Sequence, residues 1–209
     1  MSNALLLSAS RADNTGYLEH ALPIISSFLS DLNFNTPPTV LFIPYAGVSI
    51  TYDDYFLSVK NALSSLDINL ESIHQHSDPK SALATADVVL VGGGNTFALL
   101  NSLYKLELMD VIKQQFTAGM AYIGWSAGSN IAGASIKTTN DMPIIEPPSF
   151  QALGLIPLQI NPHYTDYQAP GHNGETREMR LTEFMKMNPE SVVIGIQEGS
   201  ALLLQDSKK

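Results

Sequence analysis

The chain of 209 residues contains no cysteine, which removes disulfides, thiolate metal sites and a cysteine nucleophile together. Positive charge is scarce: 11 Lys and Arg stand against 20 Asp and Glu, for a net charge of −9. No basic stripe interrupts that balance, so neither nucleic acid nor an anionic membrane is expected as a partner. No apolar run approaches the ~18 residues of a membrane-crossing helix. The N-terminus shows only the short run Ala4-Leu5-Leu6-Leu7 with no basic region before it, so no signal peptide is expected and a cytoplasmic protein is. With 44% hydrophobic and 15% charged residues, the composition is that of an ordinary globular chain. No repeat, low-complexity tract or linker divides it, and a single domain over 1–209 is expected.

Short apolar runs alternate with helix-periodic stretches. Strands are expected at Ala4–Ser8, Val40–Pro44, Asn69–His74, Val88–Val91, Ala121–Gly124 and Val192–Ile196. Several are apolar at nearly every position, as strands covered on both faces should be. Helical patterns fall at Tyr17–Leu32, Asp53–Leu66, Thr96–Leu103, Leu106–Ala118 and Glu175–Met187; in the first, Leu18, Leu22, Ile25 and Leu29 share one face. Such alternation predicts βαβ units, hence a three-layer α/β/α fold around a mostly parallel sheet. Loops are expected at Asn35–Pro38, Gly92–Asn95, Asn140–Pro148 and Asn161–Gly174. In open α/β sheets ligands bind where loops leave the carboxyl ends of strands.

Gly124-Trp125-Ser126-Ala127-Gly128 follows the apolar run Met120–Ile123 and leads into Ser129-Asn130-Ile131-Ala132. A G-x-S-x-G between strand and helix is the nucleophile-elbow pattern: the glycines clear space at a sharp turn and the serine is held exposed and strained. Serine needs a base to take its proton and a third group to orient that base. Of the five histidines, His20 reads as a surface or helix-packing residue. His74 and His76 form an H-x-H without the Cys or carboxylate cluster a metal site would need. His172 has nothing to specify it. His163, in Asn161-Pro162-His163-Tyr164, follows the apolar run Leu153–Ile160 in a loop stiffened by Pro162, and is the expected base. Two carboxylates could complete the set. Asp141 lies between serine and histidine in Thr138–Pro143, and Glu198 follows a strand in Gly195–Gly199. Only 15 positions separate Ser126 from Asp141, too few for the crossover and strand between serine and acid in an α/β-hydrolase.

An oxyanion needs donors. The Ala127 amide, after the serine, and the Gly92-Gly93-Gly94 turn can supply them, because glycine lets backbone N–H groups approach closely. That turn lacks the G-x-x-x-x-G-K-[ST] pattern of a nucleotide site. Arg177 opens a helix in Gly174-Glu175-Thr176-Arg177-Glu178, where the helix dipole disfavours a cation. It is either a solvated partner of Glu178 or a clamp for a substrate carboxylate.

Six stretches, in order along the chain, carry a resemblance: Phe42–Val48, Val91–Phe97, Tyr122–Gly128, Thr138–Pro143, Pro157–His163 and Gly174–Glu178. Together they are similar to the peptidase E family of serine-type α-aspartyl dipeptidases, which has a class I glutamine-amidotransferase-like fold. The resemblance implies metal- and cofactor-free hydrolysis of small acidic dipeptides with N-terminal aspartate, by a monomer or homodimer. It places the nucleophile at Ser126 and the base at His163, and Asp141 is taken as the third member although Glu198 also lies in a family motif. Gly93, Gly94 and Ala127 are taken as oxyanion donors, and Asn95 and Arg177 as substrate-binding residues, Arg177 reading the aspartyl β-carboxylate. Family members continue past the Ala201–Leu204 strand, so one edge strand or hairpin is expected to be lacking here. Two other readings fit the same residues: a peptidase of this fold acting on an aspartate-rich polymer, and a non-catalytic binding module.

Overall fold

The structure, a computed structural model, describes residues 3–171 and 173–205. Eight strands and seven helices are found among these residues. In chain order they are β1 (Ala4–Leu7), α1 (Leu22–Asp31), β2 (Thr39–Ile43), α2 (Tyr52–Ala62), β3 (Asn69–Ser72), α3 (Pro79–Thr85), β4 (Val88–Val91), α4 (Thr96–Lys105), α5 (Met109–Ala118), β5 (Ala121–Trp125), α6 (Ala127–Asn130), β6 (Gln159–Tyr164), α7 (Arg177–Met187), β7 (Val193–Gln197) and β8 (Ala201–Leu204). The central sheet has the order β3-β2-β4-β5-β1-β8. All its pairs are parallel except the edge pair β1–β8. The expected three-layer α/β fold is what forms.

Its core follows from the two-residue period of a strand. Leu6, Leu41, Ile43, Val89, Val91 and Tyr122 point to one face, where they join Leu83, Leu99, Leu103 and Ile112 from α3, α4 and α5. Leu5, Leu7, Val40, Phe42, Leu90, Ile123 and Trp125 point to the other and pack on Ile25 and Phe28 of α1 and Val59 of α2. Fully burying side chains of this size contributes roughly 1.5–3 kcal/mol each. Because both faces are covered, every residue of β1, β4 and β5 is buried.

Helix starts are set by local chemistry. Thr51, Asp78, Asn95 and Thr176 each accept a hydrogen bond from a backbone N–H of the turn they open. The first helix is shorter than its periodicity suggests. Leu18 has φ +56°, a left-handed conformation that a helix interior does not admit, and Pro23 instead sits in the first turn of α1. The strand expected to run to His74 ends at Ser72 in a short 3-10 turn over Ile73–Gln75.

A second, two-stranded sheet pairs β6 with β7 in parallel. Pro162 lies opposite Ile196 and Tyr164 opposite Gln197, so His163 is an extra residue at a bulge. The segment beginning at Asn161, expected as a loop, is therefore strand as far as Tyr164. Pro162 is tolerated in it because this sheet has only two strands and a proline can take an edge.

Candidate active site

Ser126 directly follows β5 with φ +52° and ψ −114°, a conformation costly for any residue with a Cβ. Its neighbours explain why it persists. A Cβ on Gly128 would lie 2.1 Å from the Val91 carbonyl oxygen, and one on Gly124 2.6 Å from the Gly128 carbonyl carbon. The elbow thus folds hard against its own strand and β4, and only glycine fits at both positions. Ser129 Oγ donates to the Leu7 and Gly124 carbonyls at 2.6 and 2.8 Å, and Tyr122 donates to the Gly128 carbonyl at 2.5 Å. The helix that follows is a single turn of four residues, shorter than the elbow pattern suggests.

His163 reaches the serine from the other sheet. Its Nε2 lies 2.8 Å from Ser126 Oγ, and its Nδ1 lies 2.7 Å from Glu198 Oε1. An ionised carboxylate can only accept, so Nδ1 carries the proton and Nε2 is left to accept from the serine hydroxyl. Like the serine, His163 has a left-handed backbone, φ +55°, at the bulge between Pro162 and Tyr164. Bulges re-aim side chains in this way. Glu198 directly follows β7, whose Gln197 pairs with Tyr164, so the ladder itself sets acid beside base.

Asp141 does not occupy the third position. Its Oδ2 accepts from Thr96 N at 2.7 Å, Thr96 Oγ1 at 2.6 Å and Thr139 Oγ1 at 3.2 Å. It ties its loop to the N-terminus of α4, where amides and helix dipole both favour an anion. Asn95 departs from expectation in the same way. It borders the cleft, but its Oδ1 caps Ala98 N at 3.0 Å and its Nδ2 donates to the Met142 carbonyl at 2.9 Å, so its side chain is already used in holding loops together.

Of the expected oxyanion donors, Gly93 packs against Ser126 and Ala127 directly follows it in the chain. A Cβ on Gly93 would fall 3.0 Å from Ser126 Cβ, so this peptide passes directly beside the serine. Tyr55 donates to the Gly93 carbonyl at 2.8 Å. In a trans peptide that pins the Gly94 N–H in the opposite direction. Burial pushes the Tyr55 hydroxyl up to about 12, so it remains a donor. Gly94 has φ +137°, and a Cβ there would lie 2.2 Å from the Ala46 carbonyl oxygen. Gly92 N and Asn95 N bond Ile43 and Ala46; among the described residues the amides of Gly93, Gly94 and Ala127 have no such acceptor.

Arg177 heads α7, and one of its terminal nitrogens donates to Asn140 Oδ1. Asn140 in turn donates to the Pro162 carbonyl at 2.8 Å, one residue from His163. No carboxylate pairs with Arg177 among the described residues, and its Nε is buried without a partner. Burial first, and then the like charge of Arg180, holds its guanidinium below the usual arginine range. Glu178, the alternative partner considered from sequence, makes no ion pair with it.

A family model described as peptidase family S51 matches residues 4–209. The chain belongs to peptidase family S51. It is therefore a serine-type peptidase, a hydrolase of peptide bonds. Peptidase E of Shewanella amazonensis is 59% identical over 205 residues, covering 98% of this chain and 85% of the relative. Peptidase E of Shewanella baltica strain OS185 is 57% identical over 206 residues, 99% of this chain and 85% of the relative. A crystal structure from Listeria monocytogenes EGD-e, named for peptidase E, aligns with TM-score 0.72 and 27% identity over 100% of this chain and 96% of that one. A peptidase from an acI-B1 Actinobacterium shares the fold, with TM-score 0.71 at 16% identity over 98% of this chain and 84% of that one.

Two of the remaining histidines of the S51 chain are engaged away from Ser126. His74 bridges Ser72 Oγ at 2.7 Å and Asp53 at 3.0 Å, and His76 faces Glu71 at 3.2 Å. His20 is half-buried before α1, and His172 lies outside the described residues. Among the described residues no group of three or more His, Cys, Asp or Glu could hold a metal, and no helix is long and apolar enough to cross a membrane.

Sequence reasoning missed Ser8 altogether. Fully buried at the end of β1, it donates through Oγ to the Ile196 carbonyl at 2.7 Å and accepts from His163 N at 2.8 Å. It pins the sheet that leads into Ser126 to the sheet that carries His163. Ser8→Ala strands a buried donor and acceptor, at about 1–3 kcal/mol. The expected result is a lowered Tm with a kcat loss of roughly tenfold or more, because small misplacements of a base are costly. A variant with wild-type kcat would show that the pin does not position His163. Only the sequence separation between Ser8 and its partners hides it; a lone serine after a strand gives no signal.

Proposed function

We propose that the protein is a dipeptidase that hydrolyses Asp-X dipeptides through Ser126, His163 and Glu198, by way of an aspartyl-enzyme. One observation carries the catalytic part: Ser126 Oγ, His163 Nε2, His163 Nδ1 and Glu198 Oε1 form one continuous chain of contacts at 2.8 and 2.7 Å. His163 takes the proton of Ser126 as Oγ attacks the peptide carbonyl. Glu198 stabilises the imidazolium, and the Gly93, Gly94 and Ala127 amides face the oxyanion. The imidazolium then protonates the leaving amine, and water, activated by the same base, releases aspartate.

The choice of aspartate rests on Arg177 and on the peptidase E relatives. A guanidinium that is partly desolvated, unpaired and left with a buried Nε is short of an anion. It suits a β-carboxylate, which accepts its fork in two parallel hydrogen bonds. The experiment is kcat/KM for Asp-Leu against Asn-Leu and Glu-Leu. Asn-Leu presents an amide NH2 to the guanidinium and Glu-Leu misplaces the charge, so both are expected to fall by roughly a thousandfold or more. Arg177→Ala should lower Asp-Leu turnover toward the Asn-Leu level. Equal rates on the three dipeptides would refute the aspartyl reading while leaving Ser126 chemistry intact.

A further inference from the structure

The whole sequence holds three arginines: Arg11, Arg177 and Arg180. Arg180 faces Glu175 at 3.7 Å, and Arg177 stands beside Asn140. Arg11 lies in the wall of a cleft of about 590 Å³ that is also lined by Ser126 and His163. Its guanidinium carbon is 5.9 Å from the centroid of the Tyr17 ring, and Tyr17 meets Trp125 edge-on with centroids 6.3 Å apart. A ring held in this way orients the guanidinium and leaves its N–H edge open. No carboxylate pairs with Arg11 among the described residues, although the chain has a surplus of carboxylates. The same wall carries Val48 and Ile50, 60% and 40% exposed.

An unpaired guanidinium beside bare aliphatic surface is complementary to an amino acid with a free carboxylate and an apolar side chain. We propose that Arg11 binds the α-carboxylate of the leaving residue, with Val48 and Ile50 against its side chain, so that the enzyme selects substrates ending one residue after the scissile bond. The proposal rests on the Asp-X reading of the same site. An Asp-X dipeptide carries two carboxylates, and two guanidiniums lack carboxylate partners among the described residues: Arg177, bonded to Asn140 whose amide reaches the Pro162 carbonyl, and Arg11, in the cleft wall with Ser126 and His163. A longer peptide would bring a neutral amide to Arg11 in place of the second carboxylate, leaving the cation without its partner and adding chain the cleft must accommodate.

The test compares Asp-Leu with Asp-leucinamide, which lacks only the terminal charge, in the wild type, Arg11→Gln and Arg11→Lys. The wild type is expected to prefer Asp-Leu by roughly tenfold to a hundredfold in kcat/KM. In Arg11→Gln the preference should shrink toward one through a raised KM for Asp-Leu, and Arg11→Lys should restore part of it. Arg11 is exposed, so the variants should fold as the wild type does, which a thermal melt checks. An unchanged ratio in Arg11→Gln overturns the assignment. So does collapse of the preference for Asp-Leu over Asn-Leu in that variant, which would put Arg11 on the β-carboxylate instead. A wild type that cleaves Asn-Leu as well as Asp-Leu, yet still loses its free-carboxylate preference in Arg11→Gln, would refute the aspartyl reading and leave Arg11 in place. A wild type that cleaves neither Asp-Leu nor its amide refutes both.

Discussion

Ser126→Ala is expected to abolish Asp-Leu hydrolysis, with kcat falling by about a million-fold and only the residual contribution of binding and oxyanion donors remaining. The expectation follows from the absence of any substitute. The sequence has no cysteine, and the serine Oγ is the atom within 2.8 Å of the base. Ser8, Ser129 and Thr138 are buried and donate their hydroxyls to backbone carbonyls, and of the serines lining the cleft, Ser10, Ser49, Ser58 and Ser126, it is Ser126 that hydrogen-bonds His163. The fold should survive, because Ser126 Oγ bonds only His163 and the elbow is held by Gly124, Gly128, Ser129 and Tyr122. A circular dichroism spectrum and Tm like those of the wild type, together with loss of turnover, are the predicted pair. Retention of more than a thousandth of the rate would mean that Ser126 is not the nucleophile.

Glu198→Gln is the second large effect, and its comparison with Asp141→Asn decides which acid serves the base. Glutamine can keep a hydrogen bond to Nδ1 but cannot stabilise the imidazolium, and its NH2 group invites the wrong tautomer. Loss of a buried triad carboxylate costs about 10⁴ in kcat. Here the Glu198 side chain is 56% exposed, so water compensates in part, and a loss of roughly 10²–10³ is expected. Asp141→Asn should show the opposite profile. It weakens the tie to Thr96 N and Thr96 Oγ1, a capping loss of about 1–2 kcal/mol, or a Tm lower by about 2–8 °C, with kcat/KM changed only a few-fold. Melting curves and Asp-Leu kinetics on the two variants separate the roles. The reverse pattern would return Asp141 to the triad.

Much of this was legible because strand and helix periods are written in neighbouring residues. Val88–Val91 is a strand at the positions its four apolar residues indicate, and the G-x-S-x-G turn places Ser126 where strand meets helix. His163 could be singled out by Pro162 and by the upstream elbow, but not as a bulged strand residue, since Asn161-Pro162-His163 reads as loop composition. Glu198 and Asp141 were equally plausible from sequence. Each stands in a short polar stretch after apolar residues, and nothing local says which carboxylate turns toward an imidazole.

Residues close together in the chain suffice for the layered parallel sheet and single out Ser126 and His163, because periodicity and turn chemistry act over a few residues. Everything else depends on long-range contacts. Pairing of β6 with β7 set Glu198 on His163, and packing of the 141 loop against α4 drew Asp141 away. Ser8 joined the two sheets, and Arg11 came to rest in the cleft wall opposite residues more than a hundred positions distant. These are contacts between segments far apart in the chain, settled by strand register and by which buried polar group finds a partner, and neither is encoded in any one stretch of residues.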